Sequence, residues 1–148
     1  LSPYMGGDSI SPFTKNPEKG VFILCRTSNP SAVDLQNQSV GNKLLFDKTA
    51  QFCVEWNRNN NVGLVVGATA VEELKTIREL SPDLPLLIPG VGAQGGDLEK
   101  SVKLGNQSSC ALINISRGIS FSGDMSEKTI RSSAENYVIK MQTILNGK

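Results

Sequence analysis

The chain has 148 residues, about one domain's worth, and its 39% hydrophobic and 20% charged content predicts a folded soluble domain and excludes disorder. Its 15 basic and 14 acidic side chains leave a net charge of +1, which offers no electrostatic footprint for nucleic acid or an anionic membrane. No apolar run approaches the ~18 residues of a membrane span and no signal-peptide pattern is visible, and without any histidine a Ser-His or Cys-His pair is excluded. Cys25, Cys53 and Cys110 lie far apart, so no metal site is expected and a reduced, cytoplasmic setting is the simplest expectation.

Residues 1–8 read as the end of a strand and the loop after it, a strand that would need residues before Leu1. Asp8 or Ser9 is the expected cap of a short helix ending near Lys15, and 16–20 is a turn by composition. Residues 21–25 are apolar without alternation, the pattern of a parallel strand covered on both faces. They lead into Arg26-Thr27-Ser28-Asn29-Pro30 and a long polar stretch to about Gly41, expected to be functional or mobile. A helix is expected over 42–59, with Leu45, Phe52 and Trp56 on one face, and a strand over 62–66. Thr69-Ala70-Val71-Glu72 has the form of a capping box, opening a helix striped by Val71, Leu74 and Ile77. After the 86–88 strand, Asp97 is expected to cap a helix with Gly105 just past its end. The last strand is expected over 111–115. Ser126 caps the final helix, whose stripe is Ile130, Ala134, Tyr137, Val138, Met141 and Leu145.

Strands and helices therefore alternate, which predicts one α/β domain with a parallel sheet and right-handed crossovers. Polar groups gather at three strand C-terminal ends: 26–30, 89–94 and 116–118. Open α/β sheets and (β/α)8 barrels both place ligands at that edge. The strongest of the three is Ile88-Pro89-Gly90-Val91-Gly92-Ala93-Gln94-Gly95-Gly96-Asp97, a strand, a Gly-rich turn and a helix start. Its glycines permit close backbone approach, and a helix N-terminus offers unpaired N–H groups, so it reads as an anion site, most often for a phosphate. Arg117, beside Gly118 at the end of the next strand, suits a bidentate grip on the same phosphate. A Gly-rich connection with no ligand and an ordinary exposed Arg are the competing readings.

Two architectures use such a site. Gly90-x-Gly92-x-x-Gly95 matches the dinucleotide fingerprint, with Arg117 in place of the usual ribose-binding acid, so an NADP-binding Rossmann-like domain is one alternative. A barrel with its phosphate pocket in the last two βα loops is the other, and it fits without adjustment.

The same residues, with Ile115-Ser116-Arg117-Gly118-Ile119 after them, resemble the end of the orotidine 5′-phosphate decarboxylase family. Leu1-Ser2-Pro3-Tyr4-Met5-Gly6, Thr27-Ser28-Asn29-Pro30 and Val65-Val66-Gly67-Ala68-Thr69 resemble its fourth, fifth and sixth strand ends, in its longer bacterial and protozoan branch. The resemblance covers nearly the whole chain as the C-terminal part, about strands 4–8, of a (β/α)8 TIM barrel. It implies a cofactor-free lyase that decarboxylates orotidine 5′-monophosphate to UMP in pyrimidine biosynthesis, acting as a homodimer. It also implies phosphate binding by Gln94, Ser116 and Arg117, with Ser28 at the pyrimidine edge and Pro89 and Val91 as apolar wall. Gln36 or Gln38 of the 28–41 loop is a candidate to reach the phosphate when that loop closes. The family's Asp-x-Lys-x-x-Asp motif, whose Lys protonates the carbanion, occurs nowhere in the sequence. No catalytic residue is therefore assigned here. The chain is expected to depend on the missing N-terminal strands and to be inactive alone. A non-catalytic nucleotide-binding domain is the remaining alternative.

Overall fold

A computed structural model describes residues 1–92 and 95–147. The chain runs α1 (Gly7–Thr14), β1 (Val21–Arg26), α2 (Val33–Gln36), β2 (Ser39–Val40), β3 (Lys43–Leu44), α3 (Leu45–Trp56), β4 (Val62–Val66), α4 (Val71–Leu80), β5 (Leu86–Pro89), α5 (Leu98–Gly105), β6 (Ala111–Asn114), α6 (Arg117–Ser120) and α7 (Glu127–Asn146). Four strands form a parallel sheet in the order β1-β4-β5-β6, and β2 and β3 form a small antiparallel hairpin. The Leu1 ammonium donates to Phe22 O at 2.7 Å and the Leu24 N–H to Leu1 O at 2.8 Å. This is the bonding of one more parallel neighbour on the far side of β1.

Sheet order equals chain order, so there is no reversal of the kind that creates a dinucleotide crevice. The two faces differ. Ile23, Leu64, Leu86 and Ala111 share one register row, and the first three are fully buried. Their neighbours in the adjacent row are Leu24, Val65, Leu87 and Leu112. Leu24 is 43% and Leu112 54% exposed. Successive side chains of a strand point to opposite faces, so the helices cover one face and leave the other open. The apolar runs are those of strands covered on both faces in a whole sheet; the open row is the inward face left without its opposite wall, as expected of part of a barrel. Neighbouring helices pack in sequence, α3 on α4, α4 on α5 and α5 on α7. A single helix layer outside a parallel sheet in chain order is an arc of a (β/α) barrel.

The local signals fared unevenly. Asp97 accepts from the Lys100 N–H and Ser126 from the Thr129 N–H, as caps should. The Thr69 box does not form. α4 starts after Ala70, and the Thr69 hydroxyl donates instead to Ser28 O at 3.3 Å. Gly6, not Asp8 or Ser9, caps α1. α3 is shorter than expected because β3 occupies 43–44. It buries Phe46, Thr49, Ala50 and Cys53, while Phe52 stays 46% exposed and stacks on Trp56. Gly105 is the last residue of α5. A Cβ there would lie 2.7 Å from Ile88 and 2.8 Å from Ala111, so close helix–strand packing, rather than a left-handed cap, requires the glycine.

Candidate functional site at the strand C-terminal ends

The strand exits are stitched to one another. Past the end of β4, the Gly67 N–H donates to Arg26 O at 2.7 Å and the Ala68 N–H to Pro89 O at 2.8 Å. Gly67 lies against Ser28, where a Cβ would come within 2.7 Å of the Ser28 side chain. A Cβ on Gly96 would collide with Ala68 and lie 2.7 Å from Gly90 O. The turn after β5 therefore closes on the exit of β4, and small residues are what permit it.

Within that turn Gly90 and Gly92 take φ of 96° and 77°, values that favour glycine. The Gly96 N–H donates to Gly90 O and the Gly95 N–H to Gly92 O, folding the loop on itself. Gln94, expected on the phosphate, lies outside the described residues. Val91 is buried in the core cluster at 4% exposure, while Pro89 is half-buried and shares register with Asn114 of β6.

Beyond β6, Ser116 is exposed and its hydroxyl donates to Asn114 Oδ1 at 2.9 Å. Arg117 opens α6 and is exposed; its carbonyl accepts from the Phe121 N–H at 3.1 Å. A short helix beginning after the last strand, next to the Gly-rich turn of the strand before it, is the recurring layout of a barrel phosphate pocket. The turns meet on α7. The Tyr137 hydroxyl oxygen lies 3.3 Å from where a Gly92 Cβ would stand and 2.8 Å from that of Gly118. The chain of contacts from Ser28 through Gly67, Ala68 and Gly96 to Gly92, Tyr137 and Gly118 thus brings the three strand ends together.

The 28–41 segment, expected as a loop, contains a turn of 3-10 helix, α2 and β2, which pairs with β3 just after it. Its anchor is Gln36. Gln36 Oε1 accepts from the Thr27 N–H at 2.9 Å and from Arg26 Nη1 at 3.4 Å, and Nε2 donates to Thr27 Oγ1 at 2.8 Å. Arg26, only 7% exposed, is in turn paired with Glu73 of α4 at 2.9 Å. Gln38 Nε2 donates to Asp34 O. Both glutamines are thus engaged within this network in the present conformation. The Arg26–Glu73 pair has no sequence signal, because its members are 47 residues apart.

Two of the thiols are inert. Burial pushes the Cys25 thiol far above its ordinary range, and that of Cys53 up to about 12. No group of three or more metal-ligating side chains occurs among the described residues.

A family model described as orotidine 5′-phosphate decarboxylase / HUMPS family matches residues 1–131. The chain is 56% identical over 124 residues to an orotidine 5′-phosphate decarboxylase of Natronomonas pharaonis, covering 83% of this chain and 46% of that protein. It is 46% identical over 153 residues to one of Verminephrobacter eiseniae, covering 99% of this chain and 55% of the relative. The chain thus spans about half the length of the curated relatives it matches. Among solved structures, the OMP decarboxylase of Leishmania donovani superposes with a TM-score of 0.86 at 40% identity, covering 97% of this chain and 55% of the other.

Proposed function

The chain belongs to the orotidine 5′-phosphate decarboxylase / HUMPS family, and from that premise we propose that it supplies the nucleotide-gripping loops of an enzyme that decarboxylates orotidine 5′-monophosphate to UMP. The observation that carries the reading is the juxtaposition of the Gly90–Gly96 turn with the Ser116–Gly118 turn at adjacent strand ends, under Tyr137. Backbone N–H groups of both turns and the Arg117 guanidinium are the chemistry a phosphate dianion needs. Gln94 joins them as an amide donor, and Ser28 and Pro89 face the pyrimidine. In this scheme binding energy collected at the phosphate, remote from the reacting carbon, is used to crowd the reacting end of the substrate.

The sequence holds no Asp-x-Lys-x-x-Asp, so the proton donor comes from strands that complete the barrel around the open row of Leu24, Val65, Leu87 and Leu112. The complete enzyme works as a cytoplasmic homodimer. No helix among the described residues is long and apolar enough to cross a membrane. The dinucleotide alternative has lost its support, because the sheet has no order reversal and the relatives are decarboxylases.

In the complete enzyme, Arg117→Ala removes a charge-assisted hydrogen bond, at roughly 1.5–3 kcal/mol, or about 10–150-fold in UMP affinity. Calorimetric titration checks it; an unchanged dissociation constant removes Arg117 from the site. The 28–41 segment closes over bound nucleotide as a lid, hinged where Gln36 bonds Thr27 and Arg26. Amide exchange across 30–41 should slow when UMP is added and speed up in Gln36→Ala. Exchange indifferent to both would sink the lid.

A further inference from the structure

α7 carries two side chains one helical turn apart that reach back to the candidate phosphate turns. The Ser133 hydroxyl donates to Gly118 O at 2.9 Å. Tyr137, half-buried and packed on the core, places its hydroxyl oxygen against both Gly92 and Gly118, 3.3 Å and 2.8 Å from where their Cβ atoms would stand. Gly92 sits in the turn after β5 and Gly118 in the first turn of α6, just after β6. A single phenol oxygen therefore touches both halves of the anion site. Lys140 Nζ lies 5.7 Å from the Tyr137 ring centroid, one turn along α7.

A phosphate gripped from two loops demands that their separation be fixed. An error of about 1 Å in such a site is worth around 100-fold in rate. Each turn is anchored by its own strand, but strand pairing between β5 and β6 ends at Pro89 and Asn114, before either turn begins. Something beyond the sheet has to set the gap, and Tyr137 occupies it. The glycines follow from the same geometry. A side chain on Gly118 would displace the Tyr137 ring, and one on Gly92 would press on its hydroxyl.

We infer that Tyr137 is a positioning residue of the phosphate site, a brace from α7 that holds the Gly92 turn and the Gly118 turn at the spacing at which both grip one phosphate. The inference rests on the phosphate reading of these loops. Tyr137 acts through the turns and not on substrate.

The test is steady-state kinetics with the nucleotide substrate in the complete enzyme. Tyr137→Ala should lower kcat/KM about 10–100-fold, with KM raised. Tyr137→Phe, which keeps the ring but loses the oxygen at both glycines, should raise KM about threefold to tenfold. Met141→Ala, half-buried one turn further along α7, controls for helix packing. It should lower the melting temperature and leave KM unchanged. Arg117→Ala separates the two layers of the argument. If it raises KM while both Tyr137 variants stay within about twofold of the parent, Tyr137 is packing only and the brace is wrong. If Arg117→Ala leaves KM unchanged as well, the phosphate reading itself fails. Should Tyr137→Ala not fold, Tyr137→Phe carries the test, and an unchanged KM there overturns the brace.

Discussion

Replacing Arg78 with leucine should destabilise the protein by roughly 3–5 kcal/mol, from two or three buried acceptors orphaned at ~1–3 kcal/mol each. Arg78 sits on α4 and is 2% exposed. Its Nη1 donates to the carbonyls of Ser81, Pro82 and Leu84 at 3.3, 3.1 and 2.7 Å, and Nη2 to Gly105 O at 2.6 Å. One guanidinium thus ties the end of α4, the approach to β5 and the end of α5. Burial draws its pKa below the ordinary arginine value, so the charge itself is costly there. The gain comes from the carbonyls it satisfies, and leucine fills part of the volume without donating to any of them. A domain's whole stability is ~5–15 kcal/mol, so this one change removes a large share. Urea denaturation should show a lower midpoint at an unchanged slope. A loss under about 1 kcal/mol would mean that water reaches these carbonyls, and the staple would be unimportant.

The isolated 148-residue polypeptide should self-associate. The row Leu24, Val65, Leu87 and Leu112 presents apolar side chains on the face without helices, with Leu24 43% and Leu112 54% exposed. Covering each such side chain fully is worth ~1.5–3 kcal/mol, so the row offers several kcal/mol to whatever closes over it. Among the described strands β6 pairs with β5 alone, which leaves one edge of the sheet as a template for another chain. Light scattering should report species larger than a monomer, and a hydrophobic dye should bind. Adding the barrel's remaining strands should abolish the dye binding and leave only the dimer of the complete enzyme. A sharp monomer that binds no dye would mean that the sheet closes some other way.

Much of this fold was legible because its strands are short apolar runs between polar turns. Residues 62–66 form the expected strand, and 21–25, 86–88 and 111–115 agree to within a residue at each end. Asp97 and Ser126 were legible as caps because a cap is a local interaction. The errors are tertiary. Thr69 has the sequence of a cap, but its hydroxyl meets Ser28, a partner 41 residues away. The buried face of α3 passes through Phe46 and Cys53, not Leu45 and Phe52. The stripe on α7 named Tyr137 for its apolar ring, and nothing local could reveal that its oxygen lies between two glycines 26 residues apart. Gly-rich turns at strand ends marked the candidate anion site, whereas the approach of Tyr137 to both Gly92 and Gly118 is visible only in three dimensions.

We propose that the turns after β5 and β6 hold the phosphate of a pyrimidine nucleotide. A crystal structure of the complete enzyme with UMP tests it most directly. The phosphate is expected between the Gly90–Gly96 turn and the Ser116–Gly118 segment, within hydrogen-bond reach of the Arg117 guanidinium, with the pyrimidine toward Ser28 and Pro89. A phosphate bound at another strand end, with Arg117 left in solvent, would contradict it.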